Sequence, residues 1–270
     1  MRSTIPSACS NVRDAHYTLL VYRLRDPCQP GSRVRAYADG PPEPFVSASA
    51  WRLRVLFAGI QGKLQTVTVV KVCGITNPGD ARVAADAGAD AVGFVFAESP
   101  RRVGVEEARR ISISLPDNVL KVGVFVDAEP EEVLRTAREV GLDLAQLHGD
   151  ETPETVTAIR DGGVKVMKAF RVQDAASLEA LDRYEADFYL LDAYSVKARG
   201  GTGESFDWGV AKSLRGRDNI VVAGGLGPEN VREVVELFEP YGVDASSSLE
   251  DEPGKKNDER VRRFVIAAKD

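Results

Sequence analysis

Cysteine, histidine and methionine are scarce in this 270-residue chain, which holds three Cys, two His and two Met. So few thiols exclude a disulfide framework. Cys9, Cys28, Cys73, His16 and His148 are too few and too scattered for a His/Cys metal site, so no metal is expected. The expected setting is a reducing cytoplasm. Long hydrophobic runs are missing too. None approaches the ~18 apolar residues of a membrane span, and no membrane partner is expected. Positive charge is short beyond residue 70: residues 1–70 carry nine Lys/Arg against four Asp/Glu, leaving 26 against 37 for the rest. A domain that acidic does not hold nucleic acid through a general basic surface.

Residues 1–68 lack any sustained period. Pro27, Pro30, Gly31, Gly40, Pro41, Pro42 and Pro44 break the segment, and apolar islands such as Leu19–Val21 and Val55–Phe57 are too short to build a core. No apolar stretch of a secretory signal follows the basic start. The expectation is an N-terminal extension that is disordered, or not translated because the start codon is placed too far upstream. An organelle transit peptide is the alternative. Cys9, Cys28 and His16 receive no functional role.

From residue 69 the chain becomes regular. Candidate strands are 69–74, 91–96, 120–126, 144–148, 165–170, 188–192, 220–224 and 242–247. Most are continuous apolar runs, as parallel strands buried on both faces require. Amphipathic stretches separate them. Proline near Pro78, Glu129-Pro130, Thr152-Pro153 and Gly227-Pro228 marks helix starts, and Gly88, Gly141 and Gly242 stand where helices would end. One turn recurs at every second strand: Gly88-Ala89-Asp90, Gly141-Leu142-Asp143, Glu185-Ala186-Asp187 and Gly242-Val243-Asp244. The repeat assigns those aspartates a structural role at strand entry. Eight βα units over 69–270 predict a single (β/α)8 TIM barrel, of α/β class. The alternative, a doubly wound open sheet, lacks its glycine fingerprint after the first strand.

In such a barrel the chemistry lies at the carboxyl ends of the strands. Those ends read Cys73, then Phe96 with Ser99-Pro100-Arg101-Arg102, Asp127, His148, Phe170-Arg171, Asp192, Gly224-Gly225 and Ser246-Ser247-Ser248. The last two are glycine- and serine-rich turns on the final two strands, where backbone N–H groups of barrels commonly face a phosphate. Gly224, Gly225, Ser246, Ser247 and Ser248 are therefore candidates for phosphate binding, and a phosphate-bearing ligand is expected there.

Lys71-Val72-Cys73-Gly74-Ile75-Thr76, Asp90-Ala91-Val92-Gly93-Phe94-Val95-Phe96 and Ser99-Pro100-Arg101-Arg102-Val103 resemble phosphoribosylanthranilate isomerase. So do Gln146-Leu147-His148-Gly149, Leu190-Leu191-Asp192, Gly200-Gly201-Thr202-Gly203 with Phe206-Asp207-Trp208, and Val243-Asp244-Ala245-Ser246-Ser247. The likeness runs through residues 69–270 in order. It implies a tryptophan-biosynthesis isomerase that uses no cofactor and performs an Amadori rearrangement of N-(5-phosphoribosyl)anthranilate. By that resemblance Asp192 is the general acid and Cys73 the general base. An aspartic acid ordinarily ionises near pH ~3.9, so acid work calls for a buried setting, which the apolar run Phe188–Leu191 supplies. A free thiol ionises near pH ~8.5, and a nearby Lys or Arg would help it act as a base. Arg101 is expected to fork onto the anthranilate carboxylate. His148 either lines the pocket or is a hydrogen-bonded residue at the core edge, and Asp127 is placed for substrate contact. Gly200, Gly201 and Gly203 suit a lid over the opened sugar. The working unit is a monomer or a homodimer.

Three features depart from that pattern. Ser248 stands where glycine is usual and would be strained if its φ were positive. Lys256 is followed by Asn257 rather than aspartate, and the extension has no counterpart. Related sugar-phosphate barrels would want a lysine ending an early strand, or an aspartate in place of Cys73. A barrel that merely binds its ligand would have no need of both Cys73 and Asp192.

Overall fold

A computed structural model describes residues 56–58, 64–66, 68–172, 176–192, 214–215 and 217–270. Upstream of the regular region, β1 (Leu56–Ala58) and β2 (Leu64–Thr66) pair antiparallel in a sheet of their own. The sequence reading missed this hairpin, because three-residue strands are too short to display alternation.

The expected barrel is present. Its strands are β3 (Val69–Cys73), β4 (Ala91–Val95), β5 (Leu120–Phe125), β6 (Leu144–Leu147), β7 (Lys165–Arg171), β8 (Phe188–Asp192), β9 (Ile220–Ala223) and β10 (Gly242–Ala245). All are parallel, and β10 closes the ring by pairing with β3. Helices α1 (Pro78–Asp86), α2 (Val105–Ser114), α3 (Pro130–Val140), α4 (Pro153–Asp161), α5 (Ala176–Glu179), α6 (Val231–Phe238) and α7 (Asp258–Lys269) follow their strands. A two-stranded ribbon, β11 (Glu250–Glu252) and β12 (Lys255–Lys256), lies between β10 and α7.

Local signals explain most boundaries. Proline is the first residue of α1, α3 and α4, where its missing N–H costs nothing. The Asn77 and Thr152 side chains cap α1 and α4 by accepting from Asp80 N and Thr155 N. Two expectations fail. Pro228 does not open α6, because the Asn230 side chain binds Gly225 O and Gly227 N and folds that stretch into a turn before Val231. Gly242 does not end α6 either. Glu239 does so in a left-handed conformation, with φ 47°, and Gly242 begins β10.

Strand alternation decides what faces the barrel axis. Ala91, Leu120, Val122, Leu144, Met167, Ala169, Phe188, Leu190, Val221 and Ala223 pack into one cluster, the apolar floor of the barrel interior. Burying one such large side chain contributes about 1.5–3 kcal/mol. The opposite parity, including Val70, Val72, Val92, Phe94, Val222 and Val243, packs under the helices.

The aspartate repeat divides at this point. Asp90, Asp143 and Asp187 each precede a strand, and their carboxylates accept the backbone N–H of Val70, Lys121 and Val166 at 2.8–2.9 Å. They stitch each strand to its neighbour. Asp244 does not share that role, contrary to the sequence reading. It is the third residue of β10, in register with Lys71, and that places its side chain inside the barrel.

Candidate active site

Counting up from the floor by twos puts a polar layer at the carboxyl end of the ring: Lys71 and Cys73 on β3, Gln146 and His148 on and after β6, Asp192 on β8, and Asp244 on β10. Cys73 is the last residue of its strand and is 8% exposed. Its register partner is Gly93. A Cβ at Gly93 would lie 2.7 Å from Cys73 Sγ and 3.2 Å from Lys71 Cε, so the thiol and the lysine stem fill the space that glycine leaves.

Lys71 Nζ donates to Asp244 Oδ2 at 2.8 Å, with both side chains almost wholly buried. Burial works to lower the lysine pKa, but the Asp244 and Cys73 charges prevail and hold it above the ordinary value. Burial pushes the Cys73 thiol up; Lys71 and Lys256 oppose that shift and Asp244 reinforces it. Burial likewise lifts Asp244, against the pull of Lys71, and the charges of His148 and Asp192 also act on it. Asp244 Oδ1 is buried without a hydrogen-bond partner among the described residues.

Across the mouth, Asp192 Oδ2 lies 3.2 Å from His148 Nε2, and His148 Nδ1 lies 2.9 Å from Gln146 Nε2. With the Gln146 amide nitrogen assigned to Nδ1, that ring nitrogen is an acceptor. A neutral imidazole then carries its hydrogen on Nε2 and donates it to Asp192. The two side chains are 25% and 19% exposed, open enough to meet a ligand.

A third group surrounds Gly74, whose φ is 79°. A Cβ there would approach Arg101 Cδ at 2.7 Å and Ser246 Oγ at 2.9 Å. Glycine is required here on both counts. Arg101 Nε donates to Glu250 Oε1 at 2.9 Å and Nη2 to Oε2 at 2.6 Å, while Lys256 Nζ reaches Oε1 at 2.7 Å. Burial would raise Glu250, but the two cations hold it below the ordinary glutamate value. Burial outweighs Glu250 at Lys256 and lowers its pKa. Arg102, the neighbour of Arg101, instead makes a backbone bridge to Val95 and is exposed.

The two phosphate-candidate turns abut one another. Gly224 and Gly225 take φ of 92° and 66°. A Cβ at Gly227 would lie 3.3 Å from Ser248 Cβ. Ser248 is not left-handed, so serine is unstrained there, and its hydroxyl is committed to Leu226 O. Ser247 and Ser248 form a short 3-10 turn with Leu249.

The family model for N-(5'-phosphoribosyl)anthranilate (PRA) isomerase matches residues 70–267. An N-(5'-phosphoribosyl)anthranilate isomerase of Rubrobacter xylanophilus is 67% identical over 202 residues, spanning 74% of this chain and 98% of the relative. Solved structures are similar too, among them the following two. One is phosphoribosyl anthranilate isomerase in complex with reduced 1-(o-carboxyphenylamino)-1-deoxyribulose 5-phosphate (TM-score 0.67, 42% identity, 75% and 98% covered). The other is monomers generated from the dimeric isomerase of Thermotoga maritima (TM-score 0.66, 41% identity, 75% and 98% covered). The chain belongs to the phosphoribosylanthranilate isomerase family.

As a member of the phosphoribosylanthranilate isomerase family the chain is an isomerase, and its expected site residues fall into three sets. Cys73, Asp192, His148 and Arg101 stand at the carboxyl end of the ring, with Gly224, Gly225, Ser246, Ser247 and Ser248 in the adjoining turns. Asp127 is engaged elsewhere. It takes φ 49°, its N–H donates to Glu151 Oε1 at 3.0 Å, and its Oδ1 accepts from Asp150 N at 2.6 Å. Glu151 also binds Lys168 at 2.9 Å, so Asp127 belongs to a knot that fixes the loop after β6. Gly200, Gly201 and Gly203 lie outside the described residues, as does Phe206-Asp207-Trp208. Lys71, Gln146, Asp244, Glu250 and Lys256 were missed as site residues. For the first three the signal was present: a polar residue at inward parity in an otherwise apolar strand.

Proposed function

We propose that Cys73 and Asp192 carry the Amadori rearrangement of N-(5-phosphoribosyl)anthranilate to 1-(2-carboxyphenylamino)-1-deoxyribulose 5-phosphate, the isomerase step of tryptophan biosynthesis. Asp192 protonates the furanose ring oxygen. The C1–O bond breaks, and the anilino nitrogen supplies the electron pair that makes an iminium. Cys73 removes the C2 proton, and those electrons form the C1–C2 double bond of an enolamine. Proton transfer from the 2-hydroxyl to C1 then gives the ketone. Acid and base must approach the sugar from different sides. The observation that supports the assignment is the inward polar layer itself: Cys73 ends β3 two residues beyond Lys71, which is paired with Asp244, and Asp192 ends β8 beside His148.

The remaining charges suit the two anionic ends of the substrate. Arg101 serves the anthranilate carboxylate, and the turns at Gly224-Gly225 and Ser246–Ser248 serve the phosphate, Ser248 through its backbone because its hydroxyl is bound to Leu226. His148 orients Asp192. Every group named here comes from one chain, and the assignment suits a monomer or a homodimer alike. Among the described residues no helix is long and apolar enough to cross a membrane; a cytoplasmic location fits the thiol at Cys73, and no nucleic-acid partner is called for. The test is loss of anthranilate-type fluorescence when the purified full chain meets phosphoribosylanthranilate. Unchanged fluorescence with a chain of normal fold removes the proposal.

A further inference from the structure

We propose that Lys71 and Asp244 are an opposed pair of positioning residues that set how readily Cys73 gives up its proton: Lys71 favours the thiolate, and Asp244 restrains Lys71 by occupying its ammonium group. The geometry carries this. Lys71 and Cys73 are two residues apart on β3 and so face the same way. Their outer atoms fill one space over Gly93, with Sγ 2.7 Å and Cε 3.2 Å from the same point. Asp244 comes from the neighbouring strand in register with Lys71, and its Oδ2 takes the ammonium at 2.8 Å. The lysine is 3% exposed and the aspartate 6%, so water screens neither from the thiol.

A buried ion pair used only to hold the fold would be neutral in effect on a nearby thiol, and apolar side chains of similar size would often serve stability as well. The placement here gives the two members opposite effects on one sulfur. Removing the cation leaves Cys73 facing Asp244 in a low-dielectric cavity, and the thiol holds its proton harder. Removing the carboxylate leaves the lysine with Cys73 as its nearest anion, and the thiol ionises more easily. The other charges that act on Cys73 are Lys256, from the ribbon after β10, and Arg101, from the loop after β4. Both are held by Glu250 at 2.6–2.9 Å, so they form a steady background. On its far side Asp244 feels His148 and Asp192. The restraint on Lys71 is therefore tied to the charge on the acid side of the site.

The test is the pH dependence of Cys73 alkylation by iodoacetamide, in a full chain carrying Cys9→Ala and Cys28→Ala so that one thiol is read. Asp244→Asn should move the half-titration point down by about one pH unit, giving roughly tenfold faster alkylation near pH 7.5. Lys71→Met should move it up by at least as much. The double variant leaves no lone buried charge and should titrate between the two singles. Where a single variant does not fold, the double is read against the parent and must lie within about one unit of it. Shifts of both singles in the same direction, no shift in either, or a double variant outside those limits would overturn the proposal. Alkylation does not depend on the part given to Cys73 in turnover. Turnover does, and a Cys73→Ser variant should lose most of it. Full activity in that variant would count against Cys73 as the base, not against the pair.

Discussion

Arg101 is folded onto Glu250, with Nε at 2.9 Å and Nη2 at 2.6 Å from its oxygens. The arginine expected to grasp a substrate carboxylate already holds one belonging to the chain. A guanidinium carries five N–H donors, so it can keep Glu250 as an orienting partner and still offer the Nη1 side of its fork. Lysine cannot do both, because it has no planar fork. Arg101→Lys is expected to raise KM about tenfold or more while changing kcat less, as steady-state kinetics would report. A KM within twofold of the parent would take Arg101 out of substrate recognition.

Removing the proposed acid should act on the chemical step. Asp192→Asn keeps the size of the side chain and its place beside His148 but supplies no carboxyl proton. General acid catalysis contributes about 10²–10⁴-fold, so kcat should fall by roughly a thousandfold with KM near its original value. Single-turnover kinetics and equilibrium binding of a product analogue would separate the two effects.

The pH dependence of the free chain follows from the setting of Cys73. Burial raises its thiol above the ordinary value. The thiolate population is therefore expected to keep rising as pH climbs through neutrality into and beyond the ordinary thiol range, as the rate of iodoacetamide alkylation would report. A Cys73→Ser variant should lose that reactivity along with most of its activity. An alkylation rate that stays flat from pH 6 to 9 would contradict the raised thiol.

Acid stability should depend on Glu250. Its pKa is depressed, because hydrogen bonds and charge from Arg101 and Lys256 prevail over burial. A depressed carboxylate contributes stability that is complete above its unfolded value near ~4.3 and is lost as pH falls through its lower folded value. Glu250→Gln leaves the buried Lys256 without its carboxylate and should cost about 3 kcal/mol at neutral pH. The deficit relative to the parent should shrink as pH falls below ~4.3, where protonation of the unfolded parent begins to remove the same contribution. Urea unfolding at pH 7 and pH 3.5 measures both.

Much of this was legible in the chain itself, because strands buried on both faces are continuously apolar and three of the helices begin at proline. Each of the eight strands appears within two residues of its expected span. The failures have physical causes. Asp244 looked like Asp90 and Asp143 because the same triplet precedes each, yet Asp90 stands before its strand and Asp244 is the third residue within one. Only the register across β10 and β3 distinguishes them. Glu250 and Lys256 were invisible for another reason. They meet Arg101 from 149 and 155 positions away, and no local pattern marks a contact of that separation. Asp127 stands just past its strand end, as expected, and its Oδ1 accepts from the backbone of the loop after β6, a bond the sequence does not announce.

Ring closure has one more result. The hydrogen bond between Lys71 and Asp244 spans 173 positions, and β3 meets one of its two neighbours only when β10 arrives. On a ribosome adding roughly 5–20 residues per second, the strand that bears Cys73 waits on the order of ten seconds for that neighbour. Until then Lys71 has no Asp244 to hold, and the cavity around the thiol lacks one of its walls.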